Sequence, residues 1–493
     1  MRFFNRKTLT SIKNLAYSFY KTVSAGLSTD EANKISVSEE KVVPLWHYRF
    51  FELFTLLVVL LLSVYLGYFF EIHQIVSGDQ MQMIEKGYHA AQTYEFIPYG
   101  NEASTVGNVP GSLSSIIVGL PLIIYMHPLS PVVLLIFLRI LGVLFFMDAL
   151  RQLKLSSKVV VAGTAIYALN PWFMYDFLLY NPSYLSFGAA VFLNMLVRLR
   201  KGQELSNKRR FTYSLVLALS VGFCLQFHFS WPVLVALCGV LWLRRDIKIS
   251  YLGILVGVLI VALTLIPYFI ELWQNHAIRT NSAEYTQERY FGYGLVHVFP
   301  LFKAVLYWLR FGSLLVTQKA LIDELPQYAP FYFEIGKYLW IVITQVIGII
   351  TVCASAIINF KVIFKLRQCE DAGIKFIRGL TISCLVALLV AAAAATLVLN
   401  YWQIIILFVF ALMPIVLALC LNPKWRLRHL WVLMCIMVAF NVISAMSSDK
   451  FSIDSSYVQS VNEWCTQKYG ATQCGLDNQQ NQSIENVETT NPL

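Results

Sequence analysis

Apolar runs separated by short polar turns recur from residue 51 to residue 446 of this 493-residue chain. The clear runs cover 51–70, 131–149, 159–176, 183–197, 211–228, 231–243, 250–270, 335–360, 379–399, 402–421 and 430–446. Many approach the ~20 residues that an α-helix needs to cross the hydrocarbon core of a bilayer. The pattern predicts an all-α polytopic membrane protein with about 11 transmembrane helices plus re-entrant or juxtamembrane helices. The run 113–126 belongs to the second kind. It is short for a crossing and is closed by His127-Pro128-Leu129-Ser130-Pro131.

Charge gives the runs a direction. Of the 38 Lys and Arg, 28 fall in 1–50, 151–158, 198–210, 244–248, 361–378 and 424–429. These stretches alternate along the chain without conflict if the N-terminus is cytoplasmic, because cytoplasmic loops concentrate Lys and Arg. Counting 113–126 as a crossing would put the 198–210 cluster outside and break the rule. The outer set is then 71–130, 177–182, 229–230, 271–334, 400–401 and the tail from 447. The expected domains are a cytoplasmic arm at 1–50, a transmembrane domain at 51–446 with outer loops 71–130 and 271–334, and an extracytoplasmic tail at 447–493. The arm, with a membrane-skimming stretch at 3–27, is not a signal peptide.

Composition agrees. The chain is 57% hydrophobic and 13% charged, too sparse in charge for an ordinary soluble surface. Its net charge of +10 would suit nucleic acid, but the cations sit in short clusters between apolar runs, so no nucleic-acid partner is expected. Seven cysteines lie in apolar runs or a basic loop and read as small apolar filler. Cys465 and Cys474 lie close together in the polar tail, where a disulfide can form in an oxidising compartment. The tail from 477 is rich in Asn, Gln, Thr and Glu and reads as disordered.

The first outer loop is wet and acidic. Glu71, Asp79, Glu85, Glu95 and Glu102 face a single Lys86 between 71 and 110. Asp79, in Ser77-Gly78-Asp79-Gln80, is the leading candidate for a catalytic carboxylate, and Glu85 a candidate substrate contact. The second loop offers Arg279, Arg289, Lys303, Arg310 and Tyr293. Lys303 and Arg310, seven residues apart in an apolar stretch, share a helical face and predict an interfacial helix with its cations toward phosphate or head groups. Arg139 lies within an apolar run. At membrane depth it needs a partner, either a substrate phosphate, an outer-loop carboxylate or an internal ion pair. His228, in Gln226-Phe227-His228-Phe229-Ser230, is a substrate contact or a satisfied interface residue. Asn170-Pro171 and Asn181-Pro182 mark helix breaks. His73 and His89 are compatible with a divalent metal, but no ligand spacing supports one, so no cofactor and no metal site are expected.

The layout resembles the GT-C superfamily of integral-membrane glycosyltransferases. The resemblance covers roughly 50–430 and rests on ordered short motifs. They are Gly78-Asp79-Gln80, Gly87-Tyr88-His89-Ala90-Ala91, Asn108-Val109-Pro110-Gly111-Ser112-Leu113, Arg139, Asn170-Pro171-Trp172, Leu225 to Ser230, and Pro267-Tyr268. Many members have Asp-Glu where this chain has Asp79-Gln80, and a basic residue where Asn108 and Val109 stand. The resemblance implies a GT-C-like fold in a bacterial plasma (inner) membrane, with the active site on the periplasmic or extracellular face. It implies a polyprenyl-phosphate-linked sugar donor, a lipid, glycan or protein acceptor, and Asp79 as base. Other classes stay open. One is a lipid-linked oligosaccharide ligase or polymerase leaning on the second loop and His228. The other is a lipid or solute transporter or flippase, although no internal repeat is visible.

Overall fold

The computed structural model describes residues 44–102, 107–175, 177–280, 298–316, 331–393, 399–422, 425–446 and 457–474. The arm expected to be cytoplasmic, up to residue 43 and including its expected skimming stretch, together with Arg289, Tyr293 and the tail beyond 474, lies outside these residues.

Among the described residues the fold is helical apart from one two-stranded ladder. The apolar run after Arg49 becomes α1, Phe50–Ile72. The wet loop folds into α2, Gly78–Thr93, and a two-stranded antiparallel ladder, β1 Tyr99–Glu102 and β2 Asn108–Pro110, which pairs Tyr99 with Pro110 and Glu102 with Asn108. Then come α3, Leu113–Ile124, α4, Leu129–Gln152, α5, Ser157–Ala168, α6, Leu185–Arg198, α7, Asn207–Leu225, and α8, Pro232–Leu243. Helices α9, Tyr251–Thr264, and α10, Ile266–Gln274, meet at a 42° bend before Pro267. They are followed by α11, Val298–Phe311, α12, Phe331–Phe364, α13, Ala372–Ala393, α14, Met413–Cys420, α15, Leu427–Met446, and α16, Tyr457–Tyr469.

Each of the predicted apolar runs carries helix. Among the described residues, five helices are long and apolar enough to cross a membrane, or six if α9 and α10 form one broken span. The chain is a multi-pass membrane protein, and the predicted count of about 11 full crossings exceeds the long helices present. Three differences have local causes. The run 159–176 stops at Ala168 because Asn170 caps the next turn, its Oδ1 accepting from Trp172 N at 2.9 Å. The run 402–421 is broken into short 3₁₀ and α turns, starting where Gln403 bonds back to Asn400 N at 2.6 Å. Helix α7 is 19 residues long but opens with Lys208, Arg209 and Arg210.

Polar contacts sort the segments into two ends. At one end Asp148 pairs with Arg198 and receives Asn194 Nδ2 at 2.9 Å. There too Lys201 N bonds Asp246 O at 2.8 Å, and Ser157 Oγ donates to Glu52 Oε1 at 3.0 Å. At the other end Leu179 N donates to Glu71 Oε1 at 3.2 Å, and Gln74 Nε2 to Phe177 O at 2.7 Å. Tyr457 reaches Pro128 O at 3.3 Å there. These are the segments that charge assigned to inside and outside respectively.

Candidate active site at the outer end

Helix α2 is the scaffold of the site. Ser77 and Gln80 form a capping box, with Ser77 N donating to Gln80 Oε1 at 2.8 Å. Gln80 Nε2 donates to Gln74 Oε1 at 2.8 Å, and Gln74 passes the link to Phe177 O. Gln80 is buried, while Asp79 beside it is exposed. Helical geometry explains the split, since adjacent residues point about 100° apart. The Asp79 carboxylate stands in the first turn of α2, where the helix dipole favours negative charge. Among the described residues no hydrogen bond or ion pair engages it. Its backbone carbonyl accepts Asn101 Nδ2 at 2.7 Å, which moors β1 along α2. Glu102 N donates to Gln82 Oε1 at 2.9 Å and extends the seam.

Two glycines let the surrounding segments close up. A Cβ on Gly87 would lie 2.3 Å from Val118 Cγ1, so α2 and α3 touch backbone to side chain there. Gly111, at φ +91°, turns β2 into α3, and a Cβ on it would meet Gln226 Oε1 at 2.4 Å. The 12-residue α3 is thus packed against α2.

Beside the ladder lies an apolar cleft of about 370 Å³, walled by Pro110, Leu225, Phe229, Trp231, Pro232, Leu265, Tyr268 and Phe269. The α9–α10 bend and the α7–α8 turn shape it. Gln226 Nε2 donates to Thr264 Oγ1 at 3.1 Å and ties the two together.

Arg139 is buried. Its Nη1 donates to Ser183 O at 3.1 Å and its Nη2 to Phe173 O, and its guanidinium lies 4.0 Å from the Phe173 ring centroid and 4.6 Å from that of Phe177. It thereby ties the carbonyls of Phe173 and Ser183 to α4. Glu85 pairs with Lys468 of α16 in the tail. His228 Nδ1 is 3.0 Å from Ser230 Oγ and accepts Ser230 N at 3.2 Å, a closed local turn. Helix α11 buries one face and leaves Phe302 and Leu306 exposed on the other. Ala304, Tyr307, Trp308 and Phe311 are buried, and Trp308 Nε1 donates to Asn359 Oδ1 at 3.0 Å. Lys303 and Arg310 do share a face, their charges 6.0 and 5.9 Å from the Tyr307 ring centroid, and Lys303 Nζ lies 3.5 Å from Asn400 Oδ1. Burial lowers the pKa of the Arg310 guanidinium. Arg279 is exposed. His73 Nδ1 is 2.9 Å from Phe69 O, and among the described residues no three His, Cys, Asp or Glu converge as metal ligands.

The tail is stapled to this site. Cys465 and Cys474 form a disulfide and are buried. Trp464 meets the Tyr88 ring edge-on at 5.7 Å, and Gln92 Nε2 donates to Gln473 O at 2.5 Å. Sequence reasoning passed over two groups. Glu71 is buried at the end of α1, within electrostatic range of Arg139, Tyr184 and Tyr457, and holds Leu179 N. Lys86 is only 8% exposed, with Nζ 5.8 Å from the Tyr99 ring centroid. Burial lowers its pKa, against the opposing pull of Glu85 and Glu102. Its position seven residues after Asp79, on the same helical face, was the available signal.

No protein-family model matches the chain, and no curated protein matches it. Solved structures do. ArnT from Cupriavidus metallidurans bound to undecaprenyl phosphate matches at TM-score 0.42 and 13% identity, over 80% of this chain and 76% of that one. The apo state of the same protein matches at 0.35 and 15%, over 69% of this chain and 58% of that one. The archaeal oligosaccharyltransferase AglB from Archaeoglobus fulgidus, in complex with an inhibitory peptide and a dolichol-phosphate, matches at 0.40 and 11%, over 85% of this chain and 58% of that one. The chain thus spans about 58% of the apo ArnT and AglB chains. The matched proteins belong to the GT-C superfamily that the motifs resemble. At these TM-scores the likeness carries no argument about chemistry, which rests on the chain's own residues.

Proposed function

We infer that this protein transfers a sugar from a polyprenyl-phosphate donor to a lipid, glycan or protein acceptor at the extracytoplasmic face of the membrane. The observation that carries the reading is the Asp79 carboxylate, exposed on a rigidly capped helix start and free of partners among the described residues, at the end of the bundle that also holds the apolar cleft. Displacement at an anomeric carbon needs one carboxylate within hydrogen-bond reach of the acceptor hydroxyl, to take its proton as the new bond forms. It also needs cations where the leaving phosphate gains charge. Asp79 supplies the first requirement. Lys303, Arg310 and Arg279 are candidates for the second. The cleft offers an apolar wall for the isoprenoid chain next to the pleat of β1 and β2.

A single displacement with one base inverts the anomeric centre. The test is to incubate the purified protein with a panel of polyprenyl-phosphate sugars and to read polyprenyl phosphate release and product configuration. Release with inverted product supports the reading. Retained configuration would contradict the single-displacement step, and no release from any donor would contradict the reading itself.

A further inference from the structure

We propose that Asn101 selects the sugar, its side-chain oxygen accepting the O–H of a hydroxyl on the transferred ring; this assignment deepens the glycosyl-transfer reading above and rests on it. Asn101 stands on β1 and is only 3% exposed. Its Nδ2 donates to the backbone carbonyl of Asp79 at 2.7 Å. A carbonyl receives only donors, so this bond fixes which end of the amide faces Asp79. The other end, Oδ1, is buried, and among the described residues nothing donates to it. A buried amide oxygen without a donor is costly, and native proteins keep few of them.

The neighbourhood says which donor this oxygen suits. Asn101 is held on the very residue whose carboxylate is exposed at the start of α2. Glu102 N donates to Gln82 Oε1 at 2.9 Å, and Lys86 Nζ lies 5.8 Å from the Tyr99 ring centroid, so β1 is fixed along α2 on both sides of Asn101. A fixed acceptor beside the base excludes most parts of a lipid-linked sugar. An isoprenoid chain has no donor, and an ionised phosphate brings only oxygens that accept. The acceptor hydroxyl has a single hydrogen, and that one goes to the Asp79 carboxylate. The hydroxyls of the transferred ring remain. They flank the carbon under attack whatever the acceptor is, and each carries one O–H to give.

The test pairs a deletion in the substrate with a deletion in the side chain. The kcat/KM of wild type and Asn101→Ala is measured in proteoliposomes with the undecaprenyl-phosphate sugar that the wild type turns over and with its monodeoxy analogues. The wild type should lose about 10- to 100-fold on one monodeoxy donor, because its amide oxygen is then left without a hydrogen to accept. Asn101→Ala should be slower on the natural donor and should show no comparable loss on that analogue. The intrinsic reactivity of each analogue cancels in the double ratio, so a role confined to mooring β1 predicts equal losses in both proteins. If Asn101→Ala does not fold, Asn101→Ser replaces it, since its hydroxyl can donate to Asp79 O while its oxygen stops one bond short of Oδ1. Equal losses at every ring position overturn the assignment and leave glycosyl transfer standing. Coupling that appears only with a deoxy acceptor also overturns it, because the amide then reads the acceptor. If the wild type turns over no donor, both fall.

Discussion

Asp79 and Gln80 are neighbours with opposite surroundings, the first exposed and the second buried. Gln80 uses both ends of its amide, accepting from Ser77 N and donating to Gln74 Oε1. A glutamate there could still cap the helix but could not donate to Gln74. We expect Gln80→Glu to lose a buried hydrogen bond and about 1–3 kcal/mol of local stability, measured as a fall in the detergent melting temperature. The sequence presented Gln80 as a departure from an Asp-Glu pair. Its structural duty was not legible, because the partner on the far side, Gln74, is fixed only by the turn between α1 and α2. Asp79 itself was legible from an acidic, turn-rich loop after an apolar run. Arg139 was legible as an internal cation, but the carbonyls of Phe173 and Ser183 that receive it lie more than thirty residues away along the chain.

At the scale of elements, α2 is held between α3 below and the disulfide-closed α16 above. Gly87 permits the first contact. Gly87→Val would drive a branched side chain into Val118, and overpacking of this kind costs about 1–3 kcal/mol. We expect that variant to lose lipid binding and transfer together, checked by assaying both on the folded fraction. The second contact is testable through the staple. Closing so short a loop restricts the unfolded chain by about 2–3 kcal/mol. Cys465→Ser/Cys474→Ser should therefore raise amide exchange across 457–469, and across 78–93 as well through the Lys468–Glu85 and Trp464–Tyr88 contacts. Exchange that rises in the tail alone would mean that α16 merely rests on α2. Long continuous runs such as 51–70 and 430–446 announced their helices to within a few residues. The run 402–421 did not, because its apolar average hides the Asn400–Gln403 cap and the Pro414 that break it.

For the whole molecule, the alternation of basic loops and the separation of polar contacts into two ends agree. Asp148 with Arg198 marks one end, and Glu71 with Leu179 the other. Sidedness follows from the basic loops. Single cysteines at Glu95 and Lys201, both exposed, in a background without the seven free cysteines, should label from opposite sides of sealed cells with a membrane-impermeant reagent. Glu95 should react from outside, and labelling of Lys201 from outside would reverse the orientation. Charge counting yields an expected sidedness because loops keep their cations whatever the helices do. It could not read the number of crossings, since α5, α8 and α14 are apolar yet short and are accommodated within the bundle or at its edge.

The role proposed for the exposed carboxylate of Asp79, as base for sugar transfer from a lipid phosphate, has a kinetic signature. The most direct measurement is the single-turnover transfer rate of wild type and Asp79→Asn, each loaded with the same polyprenyl-phosphate sugar in proteoliposomes. A positioned base contributes about 10²–10⁴-fold. A loss of that size is expected in Asp79→Asn, with donor affinity unchanged. Transfer by Asp79→Asn at the wild-type rate would contradict it.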